Sequence, residues 1–158
     1  MTFNTANGTR GSRQPSGPFF RLINTFAARR LRRKGGKVMG FNALVLTTVG
    51  RTSGLDRTNP VGWFPGPDGS FLIVASANGA TKNPAWYYNL AANPDRTRIE
   101  VDGRKIAVTP EQLHGKERDE AWQQIITAAP RFAKYEQKTD RDLPIIRLVP
   151  RPQSAPAS

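Results

Sequence analysis

Cysteine is absent from the 158-residue chain and histidine occurs once, as His114. Without thiolates there is neither a disulfide framework nor thiolate metal ligation. No metal is expected, and a reducing cytoplasm is the default compartment. His114 stands beside Gly115, just ahead of a charged helical stretch, which is the setting of an exposed loop histidine rather than a catalytic base. No apolar run approaches the roughly 18 to 20 residues that a membrane-crossing helix needs. The N-terminal arginines are not followed by a compact apolar core and a small-residue cleavage site, so the segment does not read as a signal peptide. With 158 residues, 37% hydrophobic and 9% aromatic, the chain suffices for one compact domain and is short for two.

Acidic residues are also missing from one part of the chain. The first is Asp56, and ten Lys or Arg precede it; from Asp56 onward fourteen basic face twelve acidic residues, a net of +2. The overall +12 therefore belongs to the N-terminal third. Residues 1–17 are rich in Gly, Ser, Thr, Asn and Gln and are expected to be disordered, as is the tail 151–158. Between Ser16, a capping residue, and the Gly35-Gly36 stop, an amphipathic basic helix is expected over 18–37. Phe19, Phe20, Leu22, Ile23, Phe26 and Ala27 fall on one side of it, and its last turns are basic nearly all round. Three uses fit such a helix: packing on the domain's own core, adsorption to an anionic membrane surface or covering of an apolar ligand, and contact with nucleic acid.

Residues 38–150 read as one domain. Six runs at 42–49, 58–64, 70–76, 97–101, 105–108 and 145–149 are rich in β-branched and aromatic residues. Asp102-Gly103 signals a type I′ hairpin, and "PGPDG" at 65–69 a second turn. Asn83 is expected to cap a helix with Pro84 at its first position, running through "AWYYNLAAN", and a second helix covers 115–129 before Pro130 forces a break. Six short strands with few helices predict a mainly β (α+β) fold: a small antiparallel barrel with helices outside it.

The stretch "LTTVGRTSGLDRTNPVGWF" at 46–64 places Arg51 and Arg57 around a glycine-punctuated turn, with hydroxyls at Thr52, Ser53 and Thr58. Such glycines let the backbone come close to a ligand, and the loop suits a phosphate or carboxylate. The helix start after Lys82 would also favour an anion. A solvated charged turn accounts for the same residues. The spacing Gly50 to Gly54 makes neither a Walker loop nor a dinucleotide fingerprint.

"LTTVGRTSGLDRTNP", "IVASANGATKNPAWYYNLAANP" and "KTDRDLPIIRLVP" resemble, in order, three signature stretches of the deazaflavin-dependent nitroreductase and quinone reductase family of mycobacteria and related actinobacteria. The resemblance runs over 44–150. It implies a split β-barrel like that of flavin-reductase and pyridoxamine-oxidase proteins, with coenzyme F-420 as cofactor and flavin mononucleotide as the alternative. It also implies cofactor contacts at Arg51, Thr52, Ser53, Arg57, Thr58, Asn59, Pro60 and Val61, then at Ala75, Ser76 and Ala77, and at Ala85, Trp86, Tyr87 and Asn89. Trp86 has simple core packing as a competing role.

The activity implied is hydride transfer from the reduced deazaflavin to a quinone, an activated alkene or a nitro compound. Ser76 and Tyr135 are the candidates for holding the substrate oxygen or relaying a proton, and Phe19, Phe26, Trp63, Phe132 and Tyr135 for lining the substrate pocket. Relatives commonly carry lysine and glycine where this chain has Ala77 and Asn78, and tyrosines where it has Ala129 and Phe132. These departures favour quinones or alkenes over nitroimidazole prodrugs. A non-catalytic deazaflavin carrier would keep the same loop. A nucleic-acid-binding barrel is not expected, because its basic residues should track across the strands. The implied protein is cytoplasmic, with peripheral contact at an anionic membrane face if the substrate is a lipid-soluble quinone.

Overall fold

The computed structural model describes residues 3, 5, 6, 8, 37, 38, 41–76, 83–139 and 142–152. The expected helix over 18–37, with Phe19 and Phe26, therefore lies outside the described residues except for Lys37. Lys37 belongs instead to a two-residue strand.

Among the described residues eight strands form one antiparallel sheet: β1 Lys37–Val38, β2 Phe41–Val49, β3 Asp56–Gly62, β4 Phe64–Pro65, β5 Phe71–Val74, β6 Arg98–Val101, β7 Arg104–Gln112 and β8 Ile145–Pro150. All six expected runs become strands, and β1 and β4 are short additions. β2 pairs with β1, β3 and β6, and the ladder continues through β7 and β8 to β5 and β4. The sheet curls into a half-barrel. Helices α1 Ala85–Ala92, α2 Gly115–Ala128 and α3 Arg131–Lys138 flank it. Among the described residues no helix is long and apolar enough to cross a membrane.

The near-continuous apolar runs of β5 and β8 follow from burial on both faces. Phe71, Ile73, Ile146 and Leu148 enter one core with Leu44, Leu46, Trp86, Tyr87 and Leu90. The alternate residues Leu72, Val74 and Ile145 enter a second core with Trp122 and Ile125. Each such aliphatic side chain contributes roughly 1.5–3 kcal/mol on burial. On the second face, opposite Leu72, Arg147 bonds Glu111 at 3.1 Å and Glu117 at 3.2 Å. The hydrogen bond to Glu111 is the main reason its pKa is raised, and the guanidinium staples β8 to β7 and α2.

The turns obey their chemistry. Asp102 and Gly103 both take positive φ, 50° and 76°, as a type I′ hairpin requires. β7 runs on past Val108 through Pro110 to Gln112. This is possible because β6 pairs only with Arg104 to Ala107 and β8 only with Val108 to Gln112, which leaves an edge open beside the proline.

Within the stretch expected to be disordered, Phe3 and Thr5 are packed on the first core. The Thr5 N–H donates to Tyr87 Oη at 3.1 Å, and its carbonyl accepts from Asn83 Nδ2 at 3.0 Å. Its hydroxyl accepts from Gln112 Nε2 at 2.7 Å, and Phe3 meets the Tyr87 ring edge-on at 5.6 Å. Asn83 does not cap α1 with its side chain: Pro84 is the N-cap residue, and the Asn83 amide is directed to Thr5 and Tyr88. Three such bonds contribute about 1 kcal/mol each. Deleting residues 1–8 is thus expected to lower Tm by about 5–10 °C; an unchanged melting curve would show that these contacts carry no stability.

Candidate functional site

The turn between β2 and β3 is closed by its own backbone hydrogen bonds. The Gly50 N–H donates to Leu55 O at 2.8 Å, and the Gly54 N–H donates to Gly50 O at 2.8 Å. Gly54 takes φ 71°, a conformation that glycine adopts without strain. Gly50 allows a close approach: a Cβ there would lie 2.6 Å from Ser53 Oγ, which would have to turn away. That oxygen already accepts from the Leu55 N–H at 3.2 Å and lies 3.4 Å from Arg57 Nη2.

Helix α1 holds the turn from behind. The Arg51 N–H donates to Asn89 Oδ1 at 3.0 Å, and Asn89 Nδ2 donates to Thr48 Oγ1 at 3.2 Å. One turn further on, Asn93 Nδ2 donates to Val49 O at 3.3 Å. The Arg51 guanidinium lies 4.4 Å from the centroid of the Tyr88 ring. Asp56, the one acid beside the turn, is engaged elsewhere, by Arg98 Nη2 at 2.6 Å. Both partners are about half exposed, so the pair adds little stability. It does keep a carboxylate from occupying the turn's arginines.

Strand register sorts the expected cofactor residues between two faces. Arg57, Asn59 and Val61 stand opposite Thr48, Leu46 and Leu44, on the face that looks toward α1 and the first core. Thr58 and Pro60 stand opposite Thr47 and Val45, on the other face. Arg51, Thr52 and Ser53 are exposed at the turn, and Arg57 and Asn59 are half-buried. Ala75 is buried and Ser76 half-buried at the end of β5, while Ala77 lies outside the described residues, as does Lys82. On α1, Ala85 is exposed, Trp86 and Tyr87 are buried in the first core, and Asn89 is buried against Thr48. The Tyr87 hydroxyl donates to Gln112 Oε1 at 2.6 Å.

The expected substrate residues are divided as well. Trp63 packs edge-on to Phe71 at 4.9 Å, against the first core. Phe132 packs on Phe64 at 5.9 Å and on Tyr135 at 5.5 Å, against the second. The register explains the split, since Trp63 and Phe64 are consecutive in an extended segment and point to opposite faces. Ala129 is buried beneath them in the second core. His114 is exposed at the N-cap of α2.

Sequence reasoning missed Thr48, Asn83 and Tyr88. A signal existed for Thr48: it is a hydroxyl at a position that alternates with the core residues Leu44 and Leu46, and a buried polar group there needs a partner. Tyr88 carried no such signal.

The chain is thus a curled antiparallel half-barrel whose β2–β3 turn carries two arginines and is braced by a short helix. A profile of the family described as F420H(2)-dependent quinone reductase matches residues 19–150. The chain belongs to that family, whose members are oxidoreductases using coenzyme F-420.

A similar relative, the F420H(2)-dependent quinone reductase Rv1261c of Mycobacterium tuberculosis, is 35% identical over 112 residues, covering 69% of this chain and 74% of its own. The solved F420-H2 dependent reductase FDR-A superposes with TM-score 0.60 at 33% identity, over 67% of this chain and 92% of its own. A solved chain described as a domain-swapped dimer superposes at 0.61 with 29% identity, over 84% and 99%. Campylobacter jejuni ChuZ, at 13% identity and TM-score 0.53 over 96% of this chain and 71% of its own, shares the fold alone.

Proposed function

We propose that this chain reduces quinones with coenzyme F-420, and that Arg51 and Arg57 hold the cofactor's anionic end. The observation that carries the reading is the turn itself. Two arginines and the hydroxyls of Thr52 and Ser53 surround a loop that is closed by its own hydrogen bonds and braced by α1. The donor set fits the group, because a phosphodiester with an oligoglutamate tail needs several cations and N–H or O–H donors at one place. It accommodates the terminal phosphate of a flavin mononucleotide less specifically, having more charge than one phosphate requires.

When bound in its reduced form, the deazaflavin supplies a hydride; a quinone that accepts it and one proton becomes a hydroquinone. The protein's own share is binding, orientation and exclusion of water. Asn59 and Val61 share the core-facing side of β3 with Arg57, so one edge can carry the cofactor from its charged end inward. Tyr87, 1% exposed, supports α1 from below. Trp86 lines the apolar floor that keeps water out. Ser76 and Tyr135 remain the hydroxyls that can hold the quinone oxygen or pass the proton. Trp63, on the face shared with Val61 and the first core, supplies an apolar wall that favours a flat quinone over a polar nitroimidazole. The basic amphipathic pattern over 18–37 supports a quinone met at an anionic membrane surface.

Titration of the chain with coenzyme F-420 and, separately, flavin mononucleotide, followed by ligand fluorescence, tests the cofactor. Binding of F-420 at least about tenfold tighter is expected, a difference of about 1.4 kcal/mol. The F-420H2-loaded protein should then oxidise its cofactor stoichiometrically with a water-soluble naphthoquinone. Preference for the mononucleotide overturns the cofactor assignment, and tight binding of F-420 with no quinone reduction overturns the enzymatic one.

A further inference from the structure

Adjacent residues of α1 grip Arg51 at two places. Asn89 accepts its backbone N–H at 3.0 Å, while Tyr88 lies under its guanidinium, 4.4 Å from ring centroid to Cζ. That distance is well inside the range at which a cation is drawn to an aromatic face. The ring is itself fixed. Tyr87 meets it edge-on at 5.4 Å and 84°, and its hydroxyl accepts from Asn83 Nδ2 at 3.4 Å. Asn83 is 2% exposed and anchored in turn on the Thr5 carbonyl at 3.0 Å. A chain of contacts therefore runs from the buried end of α1 to an exposed arginine.

We propose that Tyr88 is a positioning residue of the cofactor site: its ring carries the Arg51 guanidinium in the free protein and so raises the affinity for an anionic ligand. The physical reason is preorganisation. An exposed arginine otherwise samples many rotamers, and ordering it on binding opposes affinity. A guanidinium held over a ring at 4.4 Å has lost much of that freedom already, while its five N–H donors can still serve bidentate acceptors. Lysine would not keep the arrangement, since it lacks the planar fork that stacks. The inference rests on the reading that Arg51 contacts the cofactor.

The test uses the full chain, with Tyr88→Leu and Tyr88→Phe. In the free protein, the Arg51 side-chain proton resonances should be shifted upfield by the ring, and the shift should vanish in Tyr88→Leu. Affinity for coenzyme F-420 should fall about fivefold in Tyr88→Leu, the equivalent of about 1 kcal/mol. Tyr88→Phe should stay within about twofold, because the face and not the hydroxyl carries the cation. In an Arg51→Ala background, Tyr88→Leu should change affinity no further.

Unchanged or tighter binding in Tyr88→Leu overturns the proposal, as does equal weakening in Tyr88→Phe. So does a loss of affinity that persists without Arg51. The two readings fail separately: if Arg51→Ala alone leaves F-420 binding intact, the cofactor role of Arg51 falls, while the resonance shift still reports the stack.

Discussion

Replacing Arg51 and Arg57 together by alanine is expected to weaken coenzyme F-420 binding by about two to three orders of magnitude. Hydrogen bonds to charged groups contribute roughly 1.5–3 kcal/mol each, and the two arginines offer several. Neither side chain is part of a core cluster: Arg51 is exposed and stacks on Tyr88, and Arg57 is half-buried and approaches Ser53 at 3.4 Å. The substitution should therefore leave Tm nearly unchanged, within the roughly ±0.5 kcal/mol typical of surface changes.

Two further readouts sharpen the expectation. Affinity of the parent should fall as salt rises, because exposed charges are screened over about 8–10 Å, and this dependence should flatten in the double variant. Arg→Lys at either position should restore only part of the loss, since an ammonium supplies charge without the planar fork. Fluorescence titration at two ionic strengths checks all three variants. A double variant that binds as tightly as the parent would remove the basis for the site.

Asn89→Ala should have the largest effect on the scaffold. Asn89 is 6% exposed, accepts from the Arg51 N–H and donates to Thr48 Oγ1. Alanine leaves the Arg51 N–H and the buried Thr48 hydroxyl without this partner and a small void between α1 and β2. The unsatisfied buried hydroxyl costs about 1–3 kcal/mol and the void adds to it, so about 2–4 kcal/mol of stability is expected to go. For a chain of this size that is a fall in Tm of about 5–15 °C.

Because the same side chain holds the turn, F-420 affinity should drop as well, by about tenfold. Thr48→Val removes only the hydroxyl acceptor and should cost about 1 kcal/mol. Added to Asn89→Ala it should cost almost nothing more, since the two side chains share one bond. Thermal melts of the two single variants and the double variant measure this coupling. If Asn89→Ala melts with the parent, the helix does not brace the turn through this residue.

Much of the fold was legible in local chemistry. The six β-rich runs, the Asp102-Gly103 hairpin and the helix after Pro84 all rest on interactions within a few residues, which is the range at which propensity and turn preference act. Errors fell where local rules compete with the fold. The run expected at 105–108 is too short: β7 continues through Pro110 to Gln112, because the missing N–H faces an unpaired edge. Asn83 reads as a helix cap; a buried amide within reach of Thr5 and Tyr88 bonds those instead. The polar composition of 1–17 argues for disorder; among its described residues, Phe3 packs on the first core and Thr5 bonds Tyr87, Asn83 and Gln112, all more than 75 positions away.

The sequence by itself determined the class of strands and turns, the glycine-closed loop with its two arginines, and the family signatures around it. These depend on residue type and short spacing. Tertiary structure alone decided which of the motif residues share a face, that Thr58 and Pro60 turn away from Arg57, and that Tyr88 and Asn89 grip Arg51 from a helix 38 residues further along the chain. The reason is physical: strand register and helix docking are set by burial of the whole apolar surface, and no short stretch contains that information.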